Sequence, residues 1–165
     1  MPDVICNTSP IQYLYQLDLL HILSALAGRV IVPPAVVDEL AEGRGLGMDL
    51  PDLTTLDWVV IRRPISELAI PLVRDLGPGE TEVLMLALES PEAVVVVGDA
   101  LTRHVAETLG LRLKGTLGLL LDAKRAGLIP AFGILLDQLQ ALRFRTKVRN
   151  ESTPSGSFPS LIYSF

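Results

Sequence analysis

The chain has 165 residues, 49% of them hydrophobic and 20% charged, with a formal net charge of −5. That length and composition suit one folded domain with its own core and exclude a disordered polar chain. The acidic balance excludes broad electrostatic adhesion to nucleic acid or to anionic membrane, while leaving room for a local basic patch.

Asp3 to Cys6 reads as a short first strand. Cys6, the only cysteine, allows no internal disulfide, fits a reducing cytoplasmic compartment and reads as a small buried hydrophobe. Ser9-Pro10 reads as a helix start, with Ser9 capping and Pro10 in the first turn. That helix is expected to run to about Ala27, with a break near Leu17-Asp18, and to stop at Gly28. Arg29 to Pro33 is a β-branched second strand, and PAVVDELAEG is a helix opened by Pro34 and closed by Gly43. Residues 44–57 read as a loop with a short helix, Trp58 to Pro64 as a third strand, and Glu67 to Arg74 as a helix capped by Ser66. Gly77-Pro78-Gly79 breaks the chain before a helix whose first turn carries Glu80 and Glu82, where carboxylates suit the helix dipole.

AVVVVGD is the clearest strand, its valine run suggesting burial on both faces. A helix follows and ends at Gly110; LRLKG is a fifth strand, and two closing helices start near Thr116 and Pro130. Strands alternating with helices imply an α/β fold with a mostly parallel sheet, in one domain over residues 1–149. Residues 150–165, rich in Ser, Pro and Gly, read as a tail that is either mobile or docked on a neighbour. No basic segment precedes the first apolar run as a secretory signal would require, and no apolar run reaches the roughly 18 residues of a membrane span.

In an open parallel sheet, ligands bind beyond the carboxyl ends of the strands. Asn7, Thr8 and Ser9 follow strand one, Asp38 and Glu39 lie a turn beyond strand two, and Asp99 follows the valine strand. Each has a plain structural reading as a cap or an exposed helix carboxylate. Together they place several oxygen donors at one end of one sheet. Hard cations such as Mg²⁺ and Mn²⁺ take such ligands, and a bound ion relieves repulsion between crowded carboxylates. His21 and His104 lack metal-ligand spacing. The dinucleotide, P-loop and G-x-S-x-G signatures are missing. Gly115-Thr116-Leu117-Gly118 reads either as a phosphate cradle or as a tight turn with Thr116 capping the next helix.

Five fragments in order, NTSPIQYLYQLDLL, VIVPPAVVDEL, LGPGETEVLMLALE, VVVVGDALTRHVAETLGL and KGTLGLLLDAKRAGLIP, spread over about residues 3 to 145. In these the chain resembles PIN-domain proteins, and among them the DUF3368 subgroup. The resemblance implies a three-layer α/β/α fold around a mostly parallel sheet of about five strands. It implies a Mg²⁺- or Mn²⁺-dependent ribonuclease acting on single-stranded RNA, as the toxin of a toxin–antitoxin pair, with a small antitoxin partner and a homodimeric state.

The family's first aspartate falls on Asn7, which the subgroup often carries, and its hydroxyl position on Ser9. The second acid falls on Glu39 and the third on Glu80 or Glu82, which an ideal helix points about 200° apart. The fourth falls on Asp99, where the subgroup often has Asp-Asp and this chain has Gly98-Asp99. On this likeness Glu39, Glu80, Glu82 and Asp99 are the catalytic candidates, with Asn7, Glu39, Glu82 and Asp99 around the metal. Thr8, Ser9 and Arg103 are the candidates for positioning substrate or the metal's water. Arg62, Arg63 and the segment Arg143 to Arg149 read either as a backbone-binding patch or as solvated charge. The competing expectations are a non-catalytic RNA- or protein-binding module, favoured by Asn7 and Gly98, and a generic nucleotide-binding regulator.

Overall fold

A computed structural model of the chain describes residues 1–65, 75–129 and 132–151. Five strands form one parallel sheet in the order β3-β2-β1-β4-β5: β1 (Val4–Cys6), β2 (Val30–Val32), β3 (Val59–Ile61), β4 (Val94–Val96) and β5 (Arg112–Lys114). The helices are α1 (Thr8–Gln16), α2 (Ile22–Leu26), α3 (Pro34–Gly45), α4 (Pro78–Glu89), α5 (Ala100–Thr108), α6 (Thr116–Arg125) and α7 (Phe132–Glu151). This is the α/β architecture expected of a PIN-like chain.

Each strand has three residues, and β1 to β4 are rich in β-branched side chains, whereas β5 is Arg-Leu-Lys. VIC, VIV and most of the valine run are buried, as parallel strands covered by helices require. The valine strand is paired on both sides, although the middle of the sheet is β1. Burial pushes the Cys6 thiol up to about 12, so Cys6 is a packed hydrophobe and not a thiolate nucleophile.

Several helix boundaries depart from expectation: α4 opens at Pro78, inside the expected Gly-Pro-Gly break, which leaves Glu82 beyond its first turn, and α3 runs past Gly43 to Gly45. The first helix begins at Thr8, capped by Asn7, and not at Ser9-Pro10. Pro10 is then its third residue, still in the turn whose N–H groups have no intrahelical partner, so the ring costs no hydrogen bond. The expected break near Leu17-Asp18 is a full stop. Asp18 takes a positive φ of 60°, and the Leu19 N–H reaches back to the Leu14 carbonyl at 2.7 Å, closing α1 before α2 starts. Further on, α6 ends at Arg125 because Gly127, at φ 74°, turns the chain. The loop after α3 holds a single 3₁₀ turn at Leu53–Thr55, which Asp52 caps. The expected Ser66-capped helix and the tail beyond Glu151 lie outside the described residues.

Strand order sets where a ligand can enter. The chain builds outward from β1 to β3, then returns to the other side of β1 to lay down β4 and β5. The reversal falls between β1 and β4, and at such a point the connections leave to opposite sides and open a crevice at the strands' carboxyl ends. Asn7 directly follows β1, Asp99 follows β4 after Val97 and Gly98, and the two flank this opening.

Candidate functional site

Asn7 is almost fully buried at the end of β1. Its Oδ1 accepts the Thr8 backbone N–H at 2.7 Å. A backbone N–H can only donate, so this bond fixes the amide's orientation. The Nδ2 group therefore faces away from Thr8, and it donates to Asp99 Oδ1 over a long 3.5 Å. Asn7 thus turns its Nδ2 donor toward Asp99, while its Oδ1, bonded to the Thr8 N–H, keeps a second lone pair. Ser9, expected as the cap, lies one residue inside the helix with its hydroxyl buried and without a partner.

Asp99 caps α5. Its Oδ2 accepts from the Thr102 backbone N–H at 2.7 Å and from Thr102 Oγ1 at 2.6 Å. On the other side of Asn7, Thr8 Oγ1 donates to Glu39 Oε2 at 2.5 Å, and the Gly79 N–H donates to Glu39 Oε1 at 3.0 Å. Hydrogen bonds thus run without interruption from Asp99 through Asn7 and Thr8 to Glu39 and the start of α4. Thr102 and Gly79 were not singled out from the sequence. Thr102 stands three residues after a capping aspartate, a local signal that could have found it. Gly79 reads locally as a breaker, and its approach to Glu39 is a tertiary contact.

The two glutamates of α4 have different partners. Glu80 is buried to 2% exposure and its Oε2 has no hydrogen-bond partner. Glu82 Oε2 accepts the Ala35 N–H at 3.0 Å, capping the first turn of α3 from a neighbouring helix. Glu82, expected around a metal, ties α3 to α4 through one of its oxygens, while Glu80 is the glutamate whose charge acts on Glu39. Burial raises the Glu39 carboxyl above its ordinary value. The neighbouring Glu80 charge, and to a smaller degree Glu42, pushes the same way against the Thr8 and Gly79 hydrogen bonds.

This shift has a stability consequence. A carboxyl with a raised folded value stabilises the fold most when protonated, below its unfolded value near 4.5, and loses that contribution as pH rises through the folded value. In EDTA, the stability difference between wild type and Glu39→Gln should therefore shift in the variant's favour as pH rises through that window. Urea melts across pH check this; parallel curves for the two proteins would contradict it.

The sequence matches the PIN-domain family model over residues 3–151, nearly the whole chain. The chain belongs to the PIN-domain family. No curated protein matches it. The family match ends at the last described residue of α7. This PIN domain carries a nuclease-like fold, and no helix among its described residues is long and apolar enough to cross a membrane.

PIN domains generally work with divalent metal ions. The donor chemistry here suits such an ion: the candidates Glu39, Glu80 and Asp99 are all carboxylates, and one buried carboxylate oxygen of Glu80 is unpartnered. Among the described residues, however, no three His, Cys, Asp or Glu side chains gather into a group that could hold a metal as they stand. Both Glu39 oxygens and Asp99 Oδ2 are engaged by protein donors, and a cation would have to share or displace those bonds. Of the remaining candidates, Arg103 lies one turn beyond Asp99, half-buried beside Gly115. Arg62 Nη2 donates to Ser90 Oγ at 2.6 Å, which ties one of the two arginines that follow β3 to the end of α4. The side chains of Arg143 to Arg149 lie outside the described residues.

Proposed function

We propose that this PIN domain is a divalent-metal-dependent ribonuclease that cleaves single-stranded RNA, acting as the toxin of a toxin–antitoxin pair with a small protein antitoxin and as a homodimer. The observation that carries the nuclease reading is the buried Glu80 carboxylate, one oxygen of which has no partner, set against the charge of Glu39 near a topological switch point. Two like charges in a buried crevice oppose folding unless a cation joins them. Glu39, Glu80 and Asp99 would hold Mg²⁺ or Mn²⁺, which when bound would neutralise the carboxylates and supply an acidified water for phosphodiester hydrolysis. The protein's own part is positional. Thr8 and Gly79 fix Glu39, Thr102 fixes Asp99, and Glu82 ties α4 to α3 so that Glu80 keeps its place beside Glu39. RNA cleavage that Mn²⁺ stimulates, and that Asp99→Asn and Glu39→Gln abolish, supports this function; cleavage that survives both changes and EDTA refutes it.

A second reading, a non-catalytic RNA- or protein-binding module, is favoured by the Asn7 amide, which hydrogen-bonds Asp99 where the family usually keeps an aspartate. Asn7→Asp separates the two. It replaces a donor with a second carboxylate about a hydrogen bond's length from Asp99, which should cost about 1–3 kcal/mol in EDTA. For a metal nuclease, Mn²⁺ restores that stability and cleavage is at least as fast as in wild type. For a binding module, thermal melts show no metal rescue.

A further inference from the structure

The start of α6 brings together an uncapped helix terminus, a buried hydroxyl and a guanidinium. Its capping residue is Gly115, which has no side chain to receive the first-turn N–H groups. Thr116, the first residue of the helix, is exposed to only 2%, and its hydroxyl has no partner. The Arg103 guanidinium lies against this terminus, with Cζ and Nη1 each 3.8 Å from where a Gly115 side chain would begin. Arg103 makes no ion pair with Asp99, the cap of α5 one turn earlier, whose Oδ2 is held by Thr102. The other nearby cation is already compensated: Lys114 crosses the first turn of α6 at Gly118 and pairs with Asp122. Uncapped N–H groups at the positive end of a ten-residue helix, a buried hydroxyl and an arginine without an ion pair among the described residues form a setting that lacks an anion.

We propose that Arg103 and the N-terminal turn of α6, with Thr116, bind a backbone phosphodiester of an RNA strand. The subsite follows β5, whose neighbour β4 leads into Asp99, so it lies beside the acidic crevice on the side away from Glu39. A strand held there would carry a neighbouring phosphate toward Asp99. The inference rests on the reading that RNA is the ligand, and it does not require that the RNA be cut.

The test is fluorescence anisotropy of a labelled single-stranded RNA oligonucleotide in EDTA, so that cleavage plays no part. Arg103→Ala should weaken binding about tenfold and reduce the slope of log affinity against log salt by about 0.7. The control Arg112→Ala removes the same charge from an exposed arginine paired with Glu92, and should leave binding within about twofold of wild type. Gly115→Asp supplies the missing acceptor: the backbone, at φ −86° and ψ 170°, accepts any residue, and the new Cβ meets Arg103 at ordinary contact distance. This variant should lose RNA affinity at least as far as Arg103→Ala while its melting temperature rises by about 2–4 °C. Equal behaviour of Arg103→Ala and Arg112→Ala, normal RNA binding by Gly115→Asp, or no RNA binding by wild type would each overturn the subsite. Arg103-dependent binding without any metal-stimulated cleavage would uphold the subsite and overturn the nuclease reading alone.

Discussion

Glu80→Gln is expected to lower metal-stimulated RNA cleavage by at least about 100-fold and, in EDTA, to raise the melting temperature. Losing a group that merely supports a metal ligand already costs about 10–100-fold, so losing a ligand should cost at least the upper end of that range. The stability gain has a separate origin. Glu80 is buried, one of its oxygens has no partner, and its charge acts against that of Glu39. Glutamine keeps the shape and removes the charge. If relief of that repulsion is worth about 1 kcal/mol, the transition moves up by about 2–4 °C for a chain of this size. Opposite signs in activity and stability are what a site residue held against its own folding preference should show. Glu82→Ala provides the contrast. It removes the acceptor of the Ala35 N–H and should lower stability by about 1 kcal/mol. Thermal melts in EDTA beside kcat/KM in Mn²⁺ decide the matter. A Glu80→Gln variant that loses stability and activity together would mark Glu80 as structural.

The architecture was largely legible in the sequence because a parallel sheet leaves a local trace. Most of its strands are β-branched runs, as at Val30–Val32 between Gly28 and Pro33, and the helix after β2 opens on Pro34 as read, whereas Pro78, read as part of a break, already begins α4. Helix starts were harder to read. Asn-Thr-Ser-Pro offers several possible caps, and the choice of Asn7 over Ser9 depends on where β1 ends, which cross-strand pairing with Val96 decides. At the site, helical geometry already separated Glu80 from Glu82. Which of them turns toward Glu39 depends on how α4 lies against α3, and sequence spacing carries no record of that. Gly79 is the clearest case of a residue whose role is invisible locally. In the sequence it is half of a Gly-Pro-Gly break; in the fold it is the floor beneath Glu39.

That role makes Gly79→Ala the second large effect. A Cβ at this position would lie 2.6 Å from Glu39 Oε1, 2.7 Å from Oε2 and 2.9 Å from Cδ. All three distances are shorter than carbon can approach, so something must move. The obstructing atoms are the far end of a flexible side chain, which makes Glu39 the part that yields. Once displaced, the carboxylate loses the Gly79 N–H, and Thr8 Oγ1 loses its acceptor. Loss of those bonds opposes the roughly 1 kcal/mol that alanine gains over glycine inside a helix, so overall stability should change by less than about 1 kcal/mol. Cleavage should fall at least about tenfold, since a misplacement of about 1 Å in a positioned group can cost 100-fold. The same geometry supplies a rescue. Glu39→Asp shortens the side chain by one methylene and should impair the wild-type protein, yet in the Gly79→Ala background it relieves the overlap and should recover part of the lost rate. A double variant no more active than Gly79→Ala alone would show that the glycine acts through the backbone of α4 and not through the position of Glu39.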